Sequence, residues 1–180
     1  MVYVFFAEGF EEVEALTTVD LIRRSGAELR TVSVMDKKQV TGSHGITIET
    51  DLLFEETEMP ADMLILPGGM PGTKNLGAHQ GLCRMLEEQN EKKGWLAAIC
   101  AAPSVFANLG FLKDKKATSY PGAVTGQDCE AYLEEEVVSD AHIVTSRGVG
   151  TAIPFALRLV EILKGTEAAD QIAESIIYRR

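Results

Sequence analysis

The chain has 180 residues, the size of one domain, and its 46% of apolar residues can build a core without disulfides or a structural metal. A net charge of -10, with no basic patch beyond short pairs such as Arg23-Arg24 and Lys92-Lys93 that have acids nearby, argues against a nucleic-acid or anionic-membrane surface. No apolar run nears the roughly 20 residues of a membrane helix, no charged leader precedes an apolar stretch, and the odd set Cys83, Cys100 and Cys129 suggests free thiols, so the expected setting is the reducing cytoplasm.

In chain order, VYVFFA (2–7) predicts a buried strand. EGFEEVEALTTVDLIRRSG (8–26) predicts a helix with acids first, Arg23-Arg24 last and Gly26 as its stop. ELRTVSV (28–34) is a second strand, and GITIETD (45–51) alternates like a strand with one face exposed. ADMLILPGG (61–69) is an apolar strand halted by Pro67 and two glycines. QGLCRMLEEQNEKKG (80–94) reads as an amphipathic helix, WLAAIC (95–100) as a strand and APSVFANLG (102–110) as a helix. KKATSY (115–120) is a short strand, and EEVVSDAHIVTS (135–146) two strands joined at Ser139-Asp140-Ala141. Two helices close the chain, at 151–165 and 167–180. There is no repeat, low-complexity segment or linker, so residues 1–180 are expected to form a single domain.

Apolar strands alternating with helices specify an α/β architecture, a mostly parallel sheet covered on both faces. Ligands of such sheets bind at the carboxyl ends of the strands. The loops that follow the strands are AEGFEEVE, LPGGMPG, ICAAPS, TSYPG and TSRGVGT. Within them Cys100 stands between a strand and a helix, the position of a nucleophile elbow. Ala101 and Ala102 leave room around it, and Pro103 suits a first helical turn. The helix end is expected to lower the thiol pKa and favour the thiolate. A buried structural cysteine is the plainer alternative. The N–H groups of Gly68 or Gly69, with that of Ala101, can form an oxyanion hole beside the sulfur.

The three histidines offer the thiol no adjacent base: His44 lies in a loop or edge strand, His79 before a helix and His142 at the start of a strand. A carboxyl is the other choice. Glu11, Glu12 and Glu14 all complement the first helix's dipole, and Glu14 sits nearest its buried side, where desolvation raises a pKa. A neutral Glu14 can donate a hydrogen bond to the sulfur or shuttle a proton. Cys83 and Cys129 lack Cys or His partners for zinc, and LPGGMPGTKN is no phosphate-binding loop, so no metal or cofactor is expected.

The segments AEGFEEVEA, LPGG, AAICAAPSVFA and TSRGVGTA, in this order, resemble the ThiJ/PfpI superfamily and within it the DJ-one/YajL-like branch, over nearly the whole chain. The resemblance implies a flavodoxin-like three-layer α/β sandwich of the class I glutamine amidotransferase-like kind, usually a homodimer. It implies that Cys100 is the reactive, oxidation-sensitive cysteine, that Glu14 hydrogen-bonds its sulfur, and that Gly69 and Ala101 supply backbone donors. It implies cofactor-independent conversion of methylglyoxal to lactate, repair of glycated groups, redox sensing or chaperone action. Small aldehydes or glycated groups are then the ligands. There are three departures. Ala101 replaces the histidine of the peptidase-like branch, which argues against proteolysis. Tyr120 replaces a histidine before the proline of TSYPG, which implies either weak glyoxalase activity or Tyr120 as the proton shuttle in its place. Val149 stands where a proline is common. Two functions stay open: an enzyme in which Cys100 attacks a 2-oxoaldehyde, and a non-enzymatic redox sensor or chaperone in which Cys100 becomes a sulfinate. The helix at 11–25 and the segment at 45–51 are both candidate dimer faces.

Overall fold

The computed structural model describes residues 1–179; Arg180, the end of the helix expected over 167–180, lies outside the described residues. The strands are β1 (Val2–Phe6), β2 (Leu29–Ser33), β3 (Gln39–Thr41), β4 (Thr47–Glu49), β5 (Leu52–Leu53), β6 (Met63–Leu66), β7 (Trp95–Ile99), β8 (Lys116–Ala117), β9 (Ala131–Tyr132), β10 (Val137–Asp140) and β11 (Ile143–Ser146). The helices are α1 (Glu12–Arg24), α2 (Gly72–Ala78), α3 (Gln80–Glu91), α4 (Pro103–Asn108), α5 (Ala152–Lys164) and α6 (Thr166–Ser175). Seven strands form the central sheet in the order β10-β11-β7-β6-β1-β2-β5. Every pairing in it is parallel except that of β10 with β11.

The uninterrupted apolar runs of β1 and β7 are explained by burial on both faces. Side chains alternate across a strand. Val2, Val4 and Phe6 pack with α1, α5 and α6, while Tyr3 and Phe5 pack with α2, α3 and α4. In β7, Ala97 and Ile99 face the first layer and Leu96 and Ala98 the second. A polar residue in place of Val2, Val4, Phe5, Phe6, Leu96 or Ile99 would lose the roughly 1.5–3 kcal/mol that burying a large apolar side chain contributes. This is the expected three-layer sandwich.

Several boundaries differ from the sequence expectation. Residues 8–11 are a turn rather than helix: Gly9 has φ +84°, and Glu11 caps α1 by accepting a 2.7 Å hydrogen bond from the Glu14 N–H. The strand expected at 45–51 is only Thr47–Glu49, paired with Gln39–Thr41 in a hairpin apart from the main sheet. β8 likewise pairs with β9 outside that sheet. The β10–β11 turn falls at Ala141-His142, with Ser139 and Asp140 inside β10. The helix α2 comes from a segment whose glycines and proline suggest a loop.

Chain direction reverses its march across the sheet at β1, whose neighbours are β2 and β6. The crevice beyond the carboxyl ends of such strands is where ligands bind in open α/β sheets. The loops after β1, β6, β7 and β11 open there, and the β3–β4 turn leans over from the side.

Candidate active site

Cys100 follows the last residue of β7 with φ +65°, a left-handed conformation that a residue with a Cβ adopts only under constraint. The constraint is visible. Its N–H donates to the Ser146 carbonyl at 3.0 Å, and its carbonyl accepts from the Tyr120 N–H at 2.8 Å. The Ala102 N–H closes the turn on Ile99 O at 3.1 Å, and Pro103 begins α4. The sulfur is thereby lifted off the sheet end into a partly exposed position.

Glu14 approaches it from the first turn of α1. The carboxyl is fully buried, with 0% of the residue exposed. Its Oε2 accepts a 3.0 Å hydrogen bond from the Gly68 N–H, while the buried Oε1 has no hydrogen-bond partner of good geometry. Glu14 and Cys100 nevertheless lie close enough to govern each other's ionisation. Gly68 is glycine for want of space: a Cβ there would lie 2.5 Å from both the Cys100 Cβ and Glu14 Oε2. Gly69 adopts φ +94°, which turns the backbone so that its N–H, like that of Ala101, bonds toward the sulfur.

Two expectations require correction. Gly68 is not an oxyanion donor, because its N–H is already taken by Glu14; Gly69 and Ala101 alone face the sulfur. Nor is the thiol acidified. Burial, with the charge and hydrogen bonding of Glu14, pushes Cys100 up to about 12, and the Gly69 and Ala101 N–H groups only moderate this. Burial also raises Glu14 to about 7, helped by the negative charge of Glu11. The physical reason is that one small pocket must share one negative charge between two groups. The carboxyl ionises before the thiol, and the sulfur becomes anionic by handing its proton to Glu14.

These groups line a cavity of about 710 Å3 with Glu11, Ser43, His44, Met70, Tyr120, Pro121 and residues 147–151. A Cβ on Gly148 would lie 3.8 Å from Glu14 Oε1, 3.8 Å from the Tyr120 ring and 4.0 Å from Cys100 Sγ, so all three converge on one point. The 147–151 loop is ordered by Thr151, whose Oγ1 accepts from the N–H groups of Arg147 (3.2 Å) and Gly148 (3.1 Å). Arg147 and His44 bring basic groups to a lining whose acids are Glu11 and Glu14.

His44 was not legible as a site residue. Its place depends on Glu12, 32 residues away. Glu12 Oε1 accepts from the His44 N–H at 2.7 Å, and Oε2 pairs with His44 Nδ1 at 2.8 Å. Burial opposes ionisation of Glu12, but the His44 hydrogen bonds outweigh it and lower its carboxyl to about 2. The other histidines are structural: His79 caps α3 by accepting from Leu82 N–H, and His142 pairs with Asn90. Ligand atoms of Glu11, Glu12 and His44 lie within 4.8 Å of one another. A metal there would have to displace the hydrogen bonds that already occupy both oxygens of Glu12.

A strained cysteine at a strand tip, a buried glutamate and two N–H donors at the end of a seven-stranded sandwich define a class, and comparison with known proteins gives the same answer. Residues 1–162 match the model of the DJ-1/PfpI family, and the chain belongs to that family. Its fold is accordingly the flavodoxin-like, class I glutamine amidotransferase-like one. It is 35% identical over 181 residues to the Parkinson disease protein 7 homolog of Danio rerio, covering 98% of this chain and 96% of that one. It is 30% identical over 173 residues to the glutathione-independent glyoxalase DJR-1.2 of Caenorhabditis elegans, covering 94% and 91%. The chain spans 41% of the Arabidopsis thaliana protein DJ-1 homolog B, with 33% identity over 178 residues and 98% of this chain covered. The solved structure of oxidized Toxoplasma gondii DJ-1 superposes with a TM-score of 0.91 at 35% identity, over 99% of this chain and 98% of that one.

Proposed function

We propose that the protein converts small 2-oxoaldehydes to 2-hydroxy acids without a cofactor, methylglyoxal to lactate being the simplest case. The observation that carries this reading is the buried Glu14 carboxyl beside the Cys100 sulfur, with the Gly69 and Ala101 N–H groups on the same side. Similarity to a nematode protein named as a glutathione-independent glyoxalase supports it. Sulfur adds to the aldehyde carbon as its proton passes to Glu14. The two N–H groups stabilise the oxyanion, which then takes that proton to give a hemithioacetal. The Glu14 carboxylate removes the C1 hydrogen while the C2 oxygen gains a proton, forming an enediol. Return of the proton from Glu14 to C2, as the C1 hydroxyl releases its own proton to solvent, leaves a thioester of Cys100, and water releases the 2-hydroxy acid and the thiol.

The wild type is expected to form lactate from methylglyoxal in the absence of glutathione, and Cys100→Ala to form none, as followed by chromatography of the product. Lactate from the Cys100→Ala variant at the wild-type rate would refute the mechanism.

A second reading is redox sensing. The superposed Toxoplasma gondii DJ-1 structure is of an oxidized protein. Here two peroxide molecules would each transfer one oxygen to Cys100 and leave as water, and the sulfinate would receive hydrogen bonds from Gly69, Ala101 and a protonated Glu14. Mass spectrometry after mild peroxide should find two added oxygens on Cys100 while Cys83 and Cys129 remain thiols. Equal oxidation of all three would exclude this role.

A further inference from the structure

The pocket contains a base at its floor and needs an acid at its mouth. In the reaction proposed above, the C1 hydrogen leaves toward Glu14 while the C2 oxygen must be protonated, and C2 lies farther from the sulfur than C1. Glu14 is buried beside the sulfur and serves C1. Tyr120 lines the cavity but is 57% exposed, and its hydroxyl makes no hydrogen bond among the described residues that would aim it. His44 is different, because it is held. Its Nδ1 pairs with Glu12 Oε2 at 2.8 Å and its backbone N–H with Oε1 at 2.7 Å. Gly42, two residues earlier, packs so closely on the same carboxyl that a Cβ would overlap it. A carboxylate that fixes one ring nitrogen sets the tautomer and leaves the other nitrogen to work. Nε2 makes no hydrogen bond among the described residues, and His44 is one of the residues lining the cavity that Cys100 and Glu14 share.

We propose that His44, oriented by Glu12, is the acid that donates a proton from Nε2 to the C2 oxygen of the bound 2-oxoaldehyde. The inference rests on the glyoxalase reading of the site. The transfer turns the imidazolium into neutral imidazole as the C2 carbonyl becomes the enediol hydroxyl, and solvent at the exposed ring restores the proton. The charged groups facing the ring are Glu12 and, at 3.8 Å from Nδ1, Glu11 Oε1; Ser43 Oγ lies at 3.2 Å, and Arg147 and Glu14 line the same cavity. The hydrogen bond and charge of Glu12, with the charge of Glu11, raise the His44 pKa above its ordinary value. The acid form therefore persists to higher pH than in a free imidazole and is lost as pH rises through that raised value.

The test is kcat against pH with methylglyoxal for the wild type, His44→Gln and Glu12→Gln. The His44 side chain is 69% exposed, so replacing it leaves the core untouched. His44→Gln is expected to lower kcat about a hundredfold, within the usual range for a general acid, with a smaller change in KM and no alkaline limb set by the imidazole. Glu12→Gln keeps the ring but removes the charge partner, so the alkaline limb moves to lower pH. His44→Gln with wild-type kcat and profile, or with a lowered kcat but an unmoved alkaline limb, overturns the proposal, as does an unmoved limb in Glu12→Gln. A wild type that forms no lactate at any pH overturns the glyoxalase reading, and the role of His44 falls with it.

Discussion

At position 14 a carboxyl group is buried beside a sulfur, and folding must bear the consequence. The unfolded chain titrates this group near 4.5 and the folded protein near 7. Below about pH 4.5 the carboxyl is neutral in both states. As pH rises toward 7 the unfolded chain releases its proton while the folded protein retains it, so this group's contribution to stability falls across that window. Above 7 the folded protein carries a desolvated charge, a penalty of roughly 3 kcal/mol at about 1.4 kcal/mol per pKa unit. Glu14→Gln, whose amide oxygen can still accept from Gly68, should therefore raise the melting temperature at pH 8 and have much less effect at pH 4. A variant equally stabilised, or equally destabilised, at both pH values would show that the carboxyl is not the strained member of the pair. The same burial that weakens the fold makes Glu14 a base near neutral pH, where a surface glutamate would be a poor one.

At the scale of elements, much was legible because it is local. The unbroken apolar runs of β1, β6 and β7 encode strands buried on both faces, and the glycines after β6 mark its end. Cys100 and Glu14 were legible for the same reason: one stands where a strand pattern yields to a helix pattern, and the other lies on the buried face of an acidic first turn. What was hidden depends on contacts between distant segments. The β5 edge strand is two residues long and held by Asp51, whose Oδ2 accepts from the Thr31 N–H (2.8 Å) and Oγ1 (2.9 Å). The α2 helix carries two glycines and follows a proline, so propensity argues against it; Leu76 anchors it in the core. His44 gains its meaning from Glu12 alone. The pKa of Cys100 was misjudged because a six-residue helix after a proline was credited with a strong dipole, while the desolvation that dominates is a property of the folded pocket.

For the whole molecule, the apolar residues left uncovered say where a second copy would sit. Val13 and Leu16 on α1 are 48% and 37% exposed, and Ile46 in the β3–β4 turn is 53% exposed. The Ile46 N–H lies 3.4 Å from Glu12 Oε1, so the two faces that the sequence left as alternatives meet at the first turn of α1. A specific interface of ordinary size covers about 800 Å2 on each partner, roughly a tenth of the 8396 Å2 surface of this chain. An apolar patch of this kind suits a homodimer, in which burial of the patch has to outweigh the repulsion between two chains of charge -10. Because Ile46 lies two residues from His44, the contact would border the pocket mouth. Val13→Glu places a carboxylate in this patch at a position exposed enough to leave the protomer's core intact. Light scattering coupled to size exclusion should find the wild type as a dimer that tightens as salt screens the repulsion, and Val13→Glu as a monomer with an unchanged melting profile. A Val13→Glu protein that remains dimeric would place the interface elsewhere, and a monomeric wild type would leave these three residues as ordinary exposed apolar surface.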